Sequence, residues 1–186
     1  MHTPRWYDGW MGIATLIASA AMMAANAQTA SAAPTAPDLT TIDGTIKELY
    51  AVISRPTPGP RDWDRFLNLF DPQARIVMNR MQTPAPSSGQ HISITPAQYK
   101  EYYAGVFERS GFVETELYRE TTVFAEIAQV TSTYESIYGE APAVTKTRGV
   151  NFIQLYFKDG RWYILSLLYR PSDQFTPVPA RLLPPR

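Results

Sequence analysis

The sequence predicts an α+β domain in which helices pack on one face of a curved, mainly antiparallel sheet. Three observations lead there. About 150 residues remain once an N-terminal segment of export type is set aside, enough for one hydrophobic core. Segments with helical spacing of apolar residues come first, and segments rich in Val, Ile, Thr, Tyr and Phe then follow one another from Phe112 to Tyr169.

The N-terminal segment has Arg5 ahead of an apolar run from Met11 to Ala25, with small residues at Ala25 and Ala27. That layout predicts a cleaved secretory signal over residues 1–27, with Ala32 as the alternative cleavage point. The run is about 15 residues, short of the roughly 20 that cross a bilayer, so no stable membrane span is expected after cleavage. The expected location is periplasmic or secreted. Residues 28–39 are too poor in bulky side chains to fold and read as a flexible linker.

From Thr40 to Ile53 the positions Ile42, Ile46, Leu49, Tyr50 and Ile53 recur at three and four, with Thr40 or Thr41 as the cap. The "RPTPGP" that follows breaks this helix. In "RDWDRFLNLF", Trp63, Phe66, Leu67 and Phe70 fall on one side behind Asp62 as N-cap, and "DPQARIVM" reads as a turn and a strand. Residues 79–95 are rich in Pro, Ser and Gly and predict a surface loop long enough to act as a lid. Thr95, Pro96 and Gly111 punctuate the next helix, whose apolar face carries Tyr99, Tyr102, Tyr103, Val106 and Phe107. The Pro-rich tail, residues 171–186, can lie along the surface and cannot continue a sheet.

Asp159-Gly160 in "KDGR" suits a two-residue hairpin turn, which fixes the pairing of the last two strands. Counting back gives Phe157 with Trp162, Leu155 with Ile164, Ile153 with Ser166, Asn151 with Leu168 and Gly149 with Arg170 on one face. The other face pairs Tyr156 with Tyr163, Gln154 with Leu165, Phe152 with Leu167 and Val150 with Tyr169. Neither face is polar throughout, so both need cover: helices on one, and a second copy of the chain on the other, a homodimer through the open sheet face. Asn151 and Ser166 then form the floor of a mostly apolar pocket, because a buried polar group needs a hydrogen-bond partner or a ligand that supplies one. Gln154 belongs to the dimer contact. Gly149 marks a bulge or a close backbone approach.

The segments "IAQVTSTYES", "RGVNFIQL" and "RWYILSLLY" resemble small bacterial members of the nuclear transport factor 2-like superfamily, whose cone-shaped fold is shared with SnoaL-like cyclases and ketosteroid isomerase. The resemblance covers residues 40–170 and implies fold far more than activity. Catalytic members of the fold use a carboxylate base with a proton donor such as Tyr, or a His with a carboxylate.

His2 leaves with the signal, and His91 reads as an ordinary loop residue with no second imidazole for a metal. Glu114 and Glu116 alternate with Thr115 and share a strand face, read here as a solvated sheet edge. Either Tyr134 or Glu135 lines the pocket, since neighbours in a strand point to opposite faces. The candidate catalytic residues are therefore Glu116, Glu135, Tyr103 and Tyr134, and the candidate ligand-binding residues are Asn151, Ser166, Arg170 and Arg148. Arg148 reads first as an ion pair with Glu135 or Glu116, and Tyr103, with the other tyrosines of "YKEYY", reads first as helix-face packing.

Lys plus Arg and Asp plus Glu are both 17, so no field draws the protein to nucleic acid. There is no cysteine, and no glycine-rich phosphate loop, HExxH or calcium loop, so no cofactor or metal is expected. The composite expectation is an exported, dimeric protein that binds a small, largely apolar molecule. The rival expectations are a lyase or isomerase using a pocket carboxylate and a Tyr, and a dimeric protein-interaction module with a cone packed solid.

Overall fold

Thr41 opens the first helix, its hydroxyl accepting from the Gly44 amide at 3.0 Å. The computed structural model describes residues 36–79, 91–139 and 142–185. The signal segment, its cleavage point, His2 and the central part of the expected lid lie outside the described residues. Helix α1, Ile42–Ile53, buries Ile46, Leu49, Tyr50 and Ile53, the face its spacing predicts. Helix α2, Trp63–Leu67, starts on Asp62, whose carboxylate accepts from the Arg65 amide. Phe70 is not on that helix: it opens strand β1, Phe70–Asn79. Residues 91–94 are not loop either, because they form a short strand β2, His91–Ile94, antiparallel to β1. Helix α3, Pro96–Arg109, carries the full capping box of Thr95 and Gln98. Its outer residues Tyr102 and Val106 are exposed, so the buried stripe is narrower than the sequence suggests.

The remaining strands are β3 (Phe112–Phe124), β4 (Ile127–Tyr138), β5 (Thr145–Lys158) and β6 (Arg161–Pro171). They form one six-stranded sheet in the order β2-β1-β6-β5-β4-β3, antiparallel except where β1 lies parallel to β6. Helices cover the inner face. Ile46, Ile76, Ile153 and Ile164 are fully buried there, each contributing about 1.5–3 kcal/mol relative to exposure. A column of rings runs through this layer: Phe66 stacks on Tyr99, Tyr99 leans on Tyr103, and Tyr103 and Phe107 stack in turn toward Phe112.

Arg61 fastens the helix ends. It is 8% exposed, donates to the carbonyls of Ile53, Gly59 and Phe107, and lies over the Phe107 ring at 5.1 Å. The guanidinium thus supplies donors to carbonyls that the helix termini leave open.

Two bulges decide which residues face inward. Asp159 and Gly160 both have positive φ, as the turn requires, and pairs from Lys158–Arg161 to Leu155–Ile164 match the sequence count. Leu165 is then an extra residue in β6, and the register slips by one. Beyond it Gln154 faces Ser166, Ile153 faces Leu167, Asn151 faces Tyr169 and Gly149 faces Pro171. Ser166 and Arg170 therefore lie on the face opposite Asn151, and Leu167 and Tyr169 take the inward positions. In β3 the extra residue is Leu117, which places Arg119 on the same face as Glu116.

The tail folds back over the outer face of the sheet. A 3-10 turn at Ala180–Leu182 seats a buried Leu182, whose carbonyl accepts from the Thr133 hydroxyl at 2.6 Å. Arg170 holds the start of the tail through Asp173 at 2.9 Å. Part of the face expected to be open is thus covered by the chain itself. No helix among the described residues is long and apolar enough to cross a membrane.

Candidate functional site

The inner face, α3 and the start of β3 enclose a cavity of about 330 Å³. Strand alternation places Phe112 and Glu114 of β3, Tyr134 and Ser136 of β4, Asn151 of β5, and Leu167 and Tyr169 of β6 along its walls. Tyr99, Tyr103 and Phe107 of α3 close it from above, and the exposed Val106 and Tyr138 mark its mouth.

Asn151 is 4% exposed and organises the polar end. Its amide nitrogen donates to the Tyr50 oxygen at 3.1 Å and to Glu114 Oε1 at 3.4 Å. The Ser132 hydroxyl donates to Glu116, so Tyr50, 2.7 Å from Ser132, donates to the serine oxygen. A directed chain of hydrogen bonds results. It fixes the Asn151 amide so that nitrogen, not oxygen, meets Glu114.

Glu114 is the chemically unusual group. Burial pushes its carboxyl up to about 8, against the lowering influence of the Asn151 hydrogen bond. Burial thus favours its neutral form. Burial, and then the Glu114 charge, raise the Tyr50 and Tyr134 phenols far above their usual range, so both stay protonated. Tyr134 is 3% exposed, and its hydroxyl takes no hydrogen-bond partner among the described residues. Gly149 makes room for it: a Cβ there would stand 2.3 Å from the Tyr134 oxygen and 2.6 Å from the Arg170 carbonyl. Gly149 is a close approach, not a bulge.

The other candidates are elsewhere. Tyr103 lines the cavity and pairs hydroxyls with Tyr169 at 3.2 Å. Glu116 faces inward but is gripped by Arg119 at 2.8 Å, and Arg119 also holds Asp43. It borders an open groove between α1 and β3, not the cavity. Glu135 lies on the outer face, bound by Lys146 at 2.8 Å and Arg148 at 3.1 Å, so Arg148 makes the structural ion pair. The Ser166 hydroxyl donates to Gln154 Oε1 at 2.8 Å on the outer face. Arg170 serves the tail, and His91 is exposed at the sheet edge. Among the described residues no cluster of three or more His, Cys, Asp or Glu is arranged to hold a metal.

Sequence reasoning undervalued Glu114 and Tyr50. The available signal was parity: Glu114 shares its strand face with Phe112, and Tyr50 sits on the apolar stripe of α1.

No family model and no curated protein matches the sequence. Solved structures do. The beta subunit of a benzoate 1,2-dioxygenase from Burkholderia mallei is 12% identical with a TM-score of 0.56, covering 76% of this chain and 98% of that one. A proposed dehydratase of the nuclear transport factor 2-like family from Streptomyces avermitilis is 14% identical, TM-score 0.54, covering 73% and 96%. A proposed calcium/calmodulin-dependent kinase II association domain from Exiguobacterium sibiricum is 11% identical, TM-score 0.54, covering 70% and 90%. The class is an α+β domain with helices packed on a curled, unclosed sheet. Within it, the chain has the nuclear transport factor 2-like fold, with an activity that the fold alone leaves unassigned.

Proposed function

We propose that the protein is an exported small-molecule-binding protein that takes a largely apolar ligand with one polar handle into the inner cavity. The observation that carries this is the pairing of aromatic and aliphatic walls with a buried polar group made of Glu114, Asn151 and the Tyr134 hydroxyl, which has no partner among the described residues. A cone packed solid by its own side chains, as the interaction-module reading requires, does not fit a cavity of about 330 Å³. Export rests on Arg5, the Met11–Ala25 run and the small residues at Ala25 and Ala27. The test is thermal unfolding against a panel of small aromatic and alicyclic compounds, with Leu167→Trp as the cavity-filled control. Compounds that raise Tm in the native chain and not in the variant support the reading. Equal shifts in both, or none, remove it.

A second reading has its own observation. A raised carboxyl within the same cavity as a protonated phenol is an arrangement for proton transfer, as in a lyase or isomerase acting on a hydrophobic carbonyl compound. In that reading Glu114, not Glu116 or Glu135, is the base and Tyr134 the donor. Its test is solvent deuterium exchange into the α-carbon of bound ketones, lost in Glu114→Gln.

Homodimerisation through the outer sheet face remains part of the proposal. Phe152 and Leu168 are paired neighbours there, 46% and 40% exposed, with exposed Leu165 alongside.

A further inference from the structure

Resting on the cavity-binding reading, we propose that the polar handle of the ligand is positively charged: the cavity is built for a small organic cation, an alkyl- or arylammonium. Seven aromatic side chains line it, five of them tyrosines, and each ring face presents negative charge density to whatever it contacts. The described lining residues include no Lys, Arg or His. An anion entering there would meet no opposite charge, only neutral donors such as the Tyr134 hydroxyl.

The acceptor is in place. Glu114 Oε1 takes the Asn151 amide at 3.4 Å, and Oε2 takes no hydrogen bond among the described residues. Because Asn151 is locked by Tyr50 and Ser132 with its nitrogen toward Glu114, the carboxylate form is the one the surroundings are oriented to receive. An apolar ligand uses the rings and leaves that oxygen unfilled, a hydroxyl fills it with one hydrogen bond, and an ammonium adds charge pairing and the ring faces to that bond.

The titratable groups around Glu114 are Tyr50 from α1, Tyr99 from α3, Tyr134 from β4 and Glu116 on its own strand. None is a cation. Lys47 and Arg119 stand in the adjoining groove, which Glu114 and Tyr50 also line, and Arg119 is occupied by Glu116 and Asp43. Binding therefore ionises Glu114: the carboxyl O–H bond breaks, its proton leaves to solvent, and the carboxylate pairs with the arriving ammonium. Affinity for a cation rises about tenfold per pH unit below the Glu114 pKa of about 8 and levels off above it.

The test compares 2-phenylethylamine, 2-phenylethanol and phenylacetate by calorimetry at pH 6.5, in two buffers of different ionisation enthalpy. The expected result is amine binding at least about tenfold tighter than the alcohol, phenylacetate weakest, and about one proton released per amine bound. Glu114→Gln is expected to remove both the preference for amine over alcohol and the proton release. Alcohol binding as tight as amine binding, or amine binding without proton release, overturns the cation inference and leaves the cavity reading standing. Failure of all three to bind overturns the cavity reading itself.

Discussion

Glu114 and Asn151 meet across β4, the amide nitrogen of one 3.4 Å from a carboxyl oxygen of the other, in a setting where the carboxyl holds its proton to a pH of about 8. The stability of the protein therefore depends on pH in an unusual direction. Between about 4.5 and 8 the folded chain binds the Glu114 proton and the unfolded chain does not, so stability falls as pH rises through that window and is level above it. Partial exposure of the residue reduces the effect to about 2–4 kcal/mol. Urea unfolding from pH 5 to 9 checks this, and Glu114→Gln should flatten the profile. A native midpoint independent of pH would remove the assignment.

Asn151→Leu deprives Tyr50 and Glu114 of a donor at once. The expected cost is about 1–3 kcal/mol, together with a further rise in the Glu114 pKa, because the lost bond was the lowering influence. Carbon-detected NMR titration of the carboxyl reads the second effect. An unchanged titration would mean that the amide is not oriented as described.

Gly149→Ala introduces a methyl group where both the Tyr134 oxygen and a backbone carbonyl already stand. The tyrosine can give way and the carbonyl cannot, so the change should cost about 1–3 kcal/mol. Near-ultraviolet circular dichroism should report a displaced tyrosine. The backbone conformation at this position is ordinary, so space, not φ, is what the glycine supplies.

Arg61→Met keeps much of the apolar stem and removes the donors for the carbonyls of Ile53, Gly59 and Phe107. About 3 kcal/mol of destabilisation is expected. Denaturant midpoints of Arg61→Lys should fall nearer to the methionine variant than to the native chain, since an ammonium cannot reach three carbonyls in one plane.

Leu168→Glu places a charge beside Phe152 on the outer face without touching the inner core. Sedimentation should show a dimer converted to monomer, with an unfolding midpoint that no longer rises with protein concentration. A native chain that already sediments as a monomer would retire the dimer proposal.

The elements themselves were legible because their local chemistry is explicit: Thr95, Pro96 and Gln98 write a helix start, and Asp159-Gly160 writes a turn. The cavity floor was half legible. Asn151 was found because a buried amide interrupts an apolar strand, whereas Ser166 was placed beside it by alternation carried through a residue that does not alternate. Nothing in "YILSLL" marks Leu165 as the extra residue, since leucine suits either face. Glu114 was misjudged for a related reason. Its burial is imposed by α1 and α3 from far along the chain, and a strand of mixed polar and apolar residues carries no trace of what packs over it.

The ring column from Phe66 through Tyr99, Tyr103 and Phe107 to Phe112 is at once the packing of α3 and, from Tyr99 onward, the wall of the cavity. Foldability and ligand choice are consequently written in the same letters. A substitution that reshapes the chamber for a new guest also loosens the helix that roofs it, so diversification of this chain is expected to proceed through the rim, at Val106 and Tyr138, before it reaches the interior.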